Sequence, residues 1–258
     1  MATDDVASRK GGSARRWLRG AGELAALLLV IAAGKTAIAE PFYVPSGSME
    51  PTLQIGDELV ATKFSYGYSA ASLPFGLTLP ESGRVLGRMP ARGDVVVFRW
   101  PGDASQTWVK RVIGLPGDRI AMRDGRLWIN GAPVGLRPDG EGRVERGDGA
   151  TAPAIRAIET LPGGISHPIF KLYARGPLDE MAEVTVPPGD LFVMGDNRDN
   201  SADSRLPVTA GGVGLLPVGD LVGKAEVIVA SWDLGRASQP VWTWPAGLRL
   251  DRFLSAIE

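Results

Sequence analysis

The stretch Pro45-Ser46-Gly47-Ser48-Met49-Glu50-Pro51-Thr52-Leu53 follows an apolar N-terminal segment and sets two hydroxyls on backbone constrained by Gly and Pro. A serine nucleophile needs that constraint, because its Oγ must be held still against a carbonyl. Alone, a Ser-Gly-Ser turn is only a turn. Its meaning depends on whether the chain also supplies a base.

Composition narrows that search. The 258 residues include one histidine, His167, and no cysteine, so a Cys nucleophile and Cys-based zinc or iron-sulfur sites are excluded. His167 sits in the turn-like Gly163-Gly164-Ile165-Ser166-His167-Pro168, with no acidic signature beside it, and reads as a loop histidine rather than a triad base. A net charge of −1 gives no sign of nucleic-acid binding. Neither a cofactor nor a metal is implied.

After residue 50 the apolar runs are short and β-branched, as in Asp94-Val95-Val96-Val97-Phe98 and Asp190-Leu191-Phe192-Val193-Met194. Gly-Asp and Pro-Gly pairs bracket most of them. This predicts a mainly β protein with tight turns.

Upstream, Leu24 to Ala33 is wholly apolar, but only eleven residues separate Glu23 from Lys35. That is about 16 Å of helix against a ~30 Å hydrocarbon core. A spanning helix must therefore run over about 17–39, with Glu23 and Lys35 snorkelling to opposite interfaces. Arg9, Lys10, Arg15, Arg16 and Arg19 precede it, which places the N-terminus in the cytoplasm and the remainder outside. A cleavable signal peptide ending at Ala37-Ile38-Ala39 fits the same composition. Chemistry placed a few residues further on, at Ser46 and Ser48, favours a retained anchor in membrane lipid.

With histidine set aside, carboxylates and lysine remain as bases. Lys110 lies in Trp108-Val109-Lys110-Arg111-Val112-Ile113-Gly114-Leu115-Pro116-Gly117-Asp118, a strand pattern ending in a Pro-Gly turn. Alternation puts Trp108, Lys110 and Val112 on one face and Val109, Arg111 and Ile113 on the other, so large apolar groups flank the amine. Desolvation there would lower its pKa towards useful values; a lysine snorkelling from a sheet edge is the plain alternative. A third stretch, Gly195-Asp196-Asn197-Arg198-Asp199-Asn200-Ser201-Ala202-Asp203-Ser204-Arg205, is dense in Asp and Asn. A calcium loop fails on position, since Arg198 takes the third ligand slot and Pro207 the twelfth. A polar network fits better, with Arg198 and Arg205 paired to Asp196, Asp199 or Asp203 and Ser201 turned towards an amine.

In this order and spacing, the three stretches and Gly93–Phe98 together resemble type I signal peptidase, a membrane-bound serine protease family with a Ser-Lys dyad. The resemblance extends over about residues 40–233. It implies Ser48 as nucleophile and Lys110 as general base. It also implies Ser46 and the Ser48 N–H as the oxyanion hole, and Ser201, Asp203, Arg205, Asp196 and Gly195 as supports of the site. The implied substrates are exported preproteins, cut after Ala-x-Ala-like small residues. They would be bound as an added strand, with pockets drawn from Phe42, Val44, Met49, Leu53 and Val109. Ala37-Ile38-Ala39 is itself a potential target of such an activity.

The implied fold is two antiparallel β-sheet regions behind one transmembrane helix. Residues 1–16 form a disordered cytoplasmic tail, 17–39 the span, 40–120 and 186–233 the catalytic core, 121–185 a variable second region, and 234–258 a tail packed on the core. The catalytic side is then periplasmic or extracellular. Two rivals keep part of this reading: a Ser-Lys peptidase dedicated to one conjugation or organelle substrate, and a non-catalytic anchored β binding domain. Self-cleaving repressors would need a helix-turn-helix where residues 1–40 hold an apolar span.

Overall fold

The β-branched run Val95-Val96-Val97 and the alternating segment around Lys110 fold against each other as a hairpin. Pro101-Gly102 forms its turn, so that Lys110 lies opposite Val96 and Arg111 opposite Val95. The computed structural model describes residues 17, 19–24, 26, 27, 39–69, 71, 86–145, 150–236 and 239–258. Its strands are β1 (Ala39–Tyr43), β2 (Asp57–Thr62), β3 (Val95–Trp100), β4 (Asp103–Gly114), β5 (Arg119–Arg123), β6 (Arg126–Ile129), β7 (Ala132–Pro133), β8 (Gly135–Glu145), β9 (Thr151–Thr160), β10 (Ser166–Lys171), β11 (Met181–Thr185), β12 (Asp190–Met194), β13 (Leu216–Pro217), β14 (Leu221–Ser231) and β15 (Ser255–Ala256).

An eight-stranded sheet runs β1-β2-β14-β3-β4-β12-β13, with β15 added on β14. The alternation expected of β4 is seen in its packing, and β3 alternates in the same way. Val95, Val97 and Val109 join Val44, Met49, Leu53 and Leu59 in one apolar cluster. Val96, Phe98, Trp108 and Val112 join Leu191 and Val193 in another. β12 pairs with β4 only from Arg111 to Gly114. The backbone edge of β4 before Arg111 is therefore not covered by β12, and it faces the groove described below.

The expected second region divides into two sheets instead of one. Strands β11-β5-β6-β7 make a four-stranded sheet, and β10-β9-β8 a three-stranded sheet. They separate because they bury different partners. Ile120, Met122, Leu127 and Ile129 pack on Phe192 and Met194 of the core sheet. The β8–β10 sheet instead closes on the loop after β12, where the Phe170 N–H donates to Asp196 O (2.9 Å) and the Arg198 N–H to Phe170 O (2.9 Å). The boundary drawn at residue 120 passes through β5, which β11 completes from the far end of the region.

The C-terminal residues fold back on the core: Ile257 enters the Met49 and Leu53 cluster, and Arg252 pairs with Asp57. Among the described residues no helix is long and apolar enough to cross a membrane. Most of the expected span over 17–39 lies outside the described residues. Its last residue, Ala39, opens β1 opposite Thr62.

Candidate active site

Beyond β1 the chain continues alongside β2 to Val44, whose N–H donates to Asp57 O (2.9 Å), and then turns into a 3-10 helix over Gly47–Met49. That turn brings Ser48 to Lys110, 62 residues later in the chain. The amine donates to Ser48 Oγ at 2.8 Å and to the Val109 carbonyl at 2.9 Å. Ser46 Oγ donates to Ser48 Oγ at 3.4 Å.

Lys110 is only 4 % exposed. Its Nζ stands 5.6 Å from the Trp108 ring, which stacks flat on Trp100 at 4.9 Å. Burial of the ammonium dominates its titration and lowers the pKa to about 8, against the opposing pull of Asp203 and Asp196; Arg205 assists the lowering. Neither carboxylate is available to pair with the amine. Arg205 holds Asp203 through Nε and Nη2 at 2.9 and 2.8 Å, and Arg111 holds Asp196 through Nε and Nη2 at 2.9 and 2.8 Å.

The loop Gly195–Arg205 forms the back of the site. Asp203 Oδ2 accepts the Gly195 N–H (3.0 Å), and the Asn197 N–H donates to Ser48 O (3.1 Å). Residue 195 must be glycine, because a Cβ there would collide with Ser201 Oγ and with the Ser48 carbonyl. The expected hydrogen bond from Ser201 to the Lys110 amine is not formed. Ser201 Oγ is buried against Gly195 without a hydrogen-bond partner among the described residues, while the amine is engaged by Ser48 and Val109.

Arg205 pairs with Asp203 as expected, but Arg198 does not take an aspartate of its own loop. It forms a bidentate pair with Glu159 of β9. Asp199 instead accepts the N–H groups of Leu172 and Tyr173.

His167 is not a loop residue. It is buried in β10, with Nε2 3.3 Å from Glu159 and Nδ1 3.4 Å from Asp196. Burial opposes its charge, but the two carboxylates outweigh that and raise its pKa. They leave it no role as a base for Ser48. Asp196 is burdened by burial too, yet the Arg111 guanidinium and His167 hold its carboxyl far below the usual range.

Glu159 and Asn197 were not singled out from the sequence. Glu159 had a weaker signal: it shares the inward phase of Ala157 at the end of β9, where a carboxylate needs a buried partner, although Ala152 and Ala154 are buried in the opposite phase earlier in the strand.

The groove beside Ser48 is lined by Phe42, Val44, Leu59, Val97, Trp108 and Val109, among others. Leu59 and Val97 come from β2 and β3 and form its floor. Of the five residues expected to form pockets, Phe42, Val44 and Val109 line this groove. Met49 and Leu53 do not; both are fully buried, their side chains consumed by the core beneath the serine turn. Among the described residues no group of three or more His, Asp or Glu side chains is arranged to hold a metal ion.

Such a site can run acyl transfer: a hydroxyl on a fixed turn, a buried amine in contact with it, and an open strand edge beside both. Comparisons with known proteins place the chain in a family. Residues 15–232 match the family model described as signal peptidase, peptidase S26. A signal peptidase I of Rickettsia typhi is 39 % identical over 211 residues, covering 76 % of this chain and 75 % of that protein. One of Rickettsia akari is 34 % identical over 268 residues, covering 100 % of this chain and 95 % of the relative. The crystal structure of a signal peptidase I from Enterococcus faecalis V583 aligns at 26 % identity with a TM-score of 0.32, covering 53 % of this chain and 97 % of that one. With a serine in contact with a buried lysine on an antiparallel β frame and a family match across most of its length, this chain belongs to the signal peptidase family, peptidase S26.

Proposed function

We propose that this enzyme cleaves signal peptides from exported preproteins with Ser48 as nucleophile and Lys110 as general base. The observation that carries the reading is the 2.8 Å contact between Ser48 Oγ and a buried amine whose pKa is lowered to about 8. At pH 7 about a tenth of such an amine is neutral, against a few parts in ten thousand for an unperturbed lysine. The neutral amine takes the Ser48 proton as Oγ attacks the scissile carbonyl. The resulting ammonium then returns a proton to the leaving amine, and water hydrolyses the acyl-enzyme with the same base. Ser46 Oγ and the Ser48 N–H stabilise the tetrahedral oxyanion, each well-placed donor typically worth ~3–4 kcal/mol.

The substrate lies extended along the free edge of β4 and beside residues 42–46, where backbone hydrogen bonds supply affinity. The apolar groove from Phe42, Val44 and Val109 admits small side chains and rejects large ones. The N-terminal apolar segment anchors the protein in the membrane, with the basic N-terminus cytoplasmic and the catalytic domain on the outer face. Asp203, Arg205, Asp196 and Gly195 support the site.

Cleavage of a preprotein by purified Ser48→Ala and Lys110→Ala tests this reading. Both should lose at least about a thousandfold in kcat, in keeping with removal of a nucleophile or its base. Activity retained by either variant removes the dyad.

A further inference from the structure

We infer that Asn197 is a positioning residue that sets the oxyanion donor by gripping the peptide unit between Gly47 and Ser48. This rests on the assignment of Ser48 as nucleophile and adds a residue to it. Asn197 is completely buried, and its side-chain Nδ2 donates to Gly47 O at 2.9 Å. Its own N–H donates to Ser48 O at 3.1 Å, so a single residue holds two consecutive carbonyls of the catalytic turn.

The Gly47 carbonyl and the Ser48 N–H belong to one planar, trans peptide unit and point in opposite directions. Fixing the carbonyl on Asn197 therefore fixes the N–H on the side away from the 195–198 loop. Turning the carbonyl would turn the donor with it.

The unit needs an external grip. Gly47 has no Cβ to limit its dihedrals, and a larger residue is disfavoured because a Cβ there would stand 3.0 Å from Glu50 Oε2. The other hydrogen bond to the same carbonyl is the longer 3-10 contact from the Glu50 N–H, at 3.2 Å. Donation to the carbonyl also polarises the N–H at the other end of the unit, which strengthens it as a donor. An oxyanion donor must already be aimed before charge develops, and Asn197 supplies that aim without touching substrate.

The test uses full-length enzyme in detergent and the variants Asn197→Ala and Asn197→Asp. The probes are a preprotein, an uncleavable peptide of the same sequence, and a peptide boronic acid that adds to the serine hydroxyl. Kcat should fall by about a hundredfold or more, the usual effect of losing one oxyanion donor. Boronate affinity should fall by a similar factor, while KM and binding of the uncleavable peptide stay within about threefold. Asp should be worse than Ala, since it presents an oxygen to the Gly47 carbonyl. Unchanged kcat overturns the inference, as does parallel loss of peptide and boronate binding.

A structure of the wild-type boronate adduct gives an answer independent of variant folding. The Gly47 carbonyl should remain on Asn197 with a boronate oxygen on the Ser48 N–H; a carbonyl turned away from Asn197 overturns the inference. Ser48→Ala separates the two ideas. An active Ser48→Ala enzyme defeats the dyad itself, whereas an inactive one beside fully active Asn197 variants defeats only the role of Asn197.

Discussion

Two buried regions meet at β4, the end of the groove at Lys110 and the ionic cluster behind it at Arg111. Among the described residues Lys110 donates only to a hydroxyl and a carbonyl, whereas Arg111 is locked bidentately on Asp196 and also donates to Gly93 O, Thr52 Oγ1 and Glu258 O. Both side chains are withdrawn from water, yet one charge is met in full and the other is not. The difference separates stability from catalysis. A guanidinium stays charged wherever it is placed, so its partners make it a fixed brace. An ammonium left without a carboxylate in contact gives up its proton more readily, and that is what a base requires.

Breaking the braced side should produce the largest change. Arg111→Met leaves Asp196 charged and buried with His167 and the Thr52 hydroxyl but without its guanidinium, and loss of one partner of a buried pair usually costs about 3–5 kcal/mol. Urea unfolding at pH 7 measures this, and a loss below about 1 kcal/mol would show that the cluster is not bracing the fold.

The unpaired side should respond in the opposite direction. Lowering the Lys110 pKa from 10.5 to about 8 means the folded state resists its charge. That destabilisation, up to about 3 kcal/mol at 1.36 kcal/mol per unit, is fully present below pH 8 and disappears as pH rises past the unfolded value. Lys110→Met should therefore be inactive yet more stable than wild type at pH 7, with the gain fading between about pH 8 and pH 10.5. A variant less stable than wild type at pH 7 would contradict the unpaired amine.

Two smaller effects sharpen the contrast. Wild-type kcat/KM should rise about tenfold per pH unit up to about pH 8 and then level off, because the neutral amine is the working form. Giving Lys110 the carboxylate it lacks should undo that setting. Ala202, which lines the groove with Lys110, is the place for it. Ala202→Asp should move the rise upward by about one unit, so that activity falls about tenfold at pH 7 and little at alkaline pH. A pH profile identical to wild type would mean that groove charge does not reach the amine.

The parts of the site that the chain announces are those encoded locally. Ser46, Gly47 and Ser48 sit on one turn, Lys110 stands between apolar neighbours on one strand, and Asp203 pairs with Arg205 two residues away. Glu159 and His167 were not legible as partners of Asp196 and Arg198, because those contacts cross from the β9–β10 hairpin to a loop about 30–40 residues later. Asn197 is one of several Asn and Asp residues in its loop, and only the packing of that loop under Ser48 distinguishes it. Met49 and Leu53 looked like pocket walls because they adjoin the serine. The 3-10 helix sends Met49 inward, and the turn that follows it, closed by the Leu53 N–H on Met49 O, sends Leu53 inward too.

By itself the sequence determined the strand alternation, the Gly and Pro turns, and the chemical types that chemistry requires, since all of these follow from short-range backbone and side-chain preferences. Tertiary structure decided which carboxylates were consumed by arginines, and hence which cation was left unpaired. That outcome depends on distances between segments far apart in the chain, and on the water excluded when they close together.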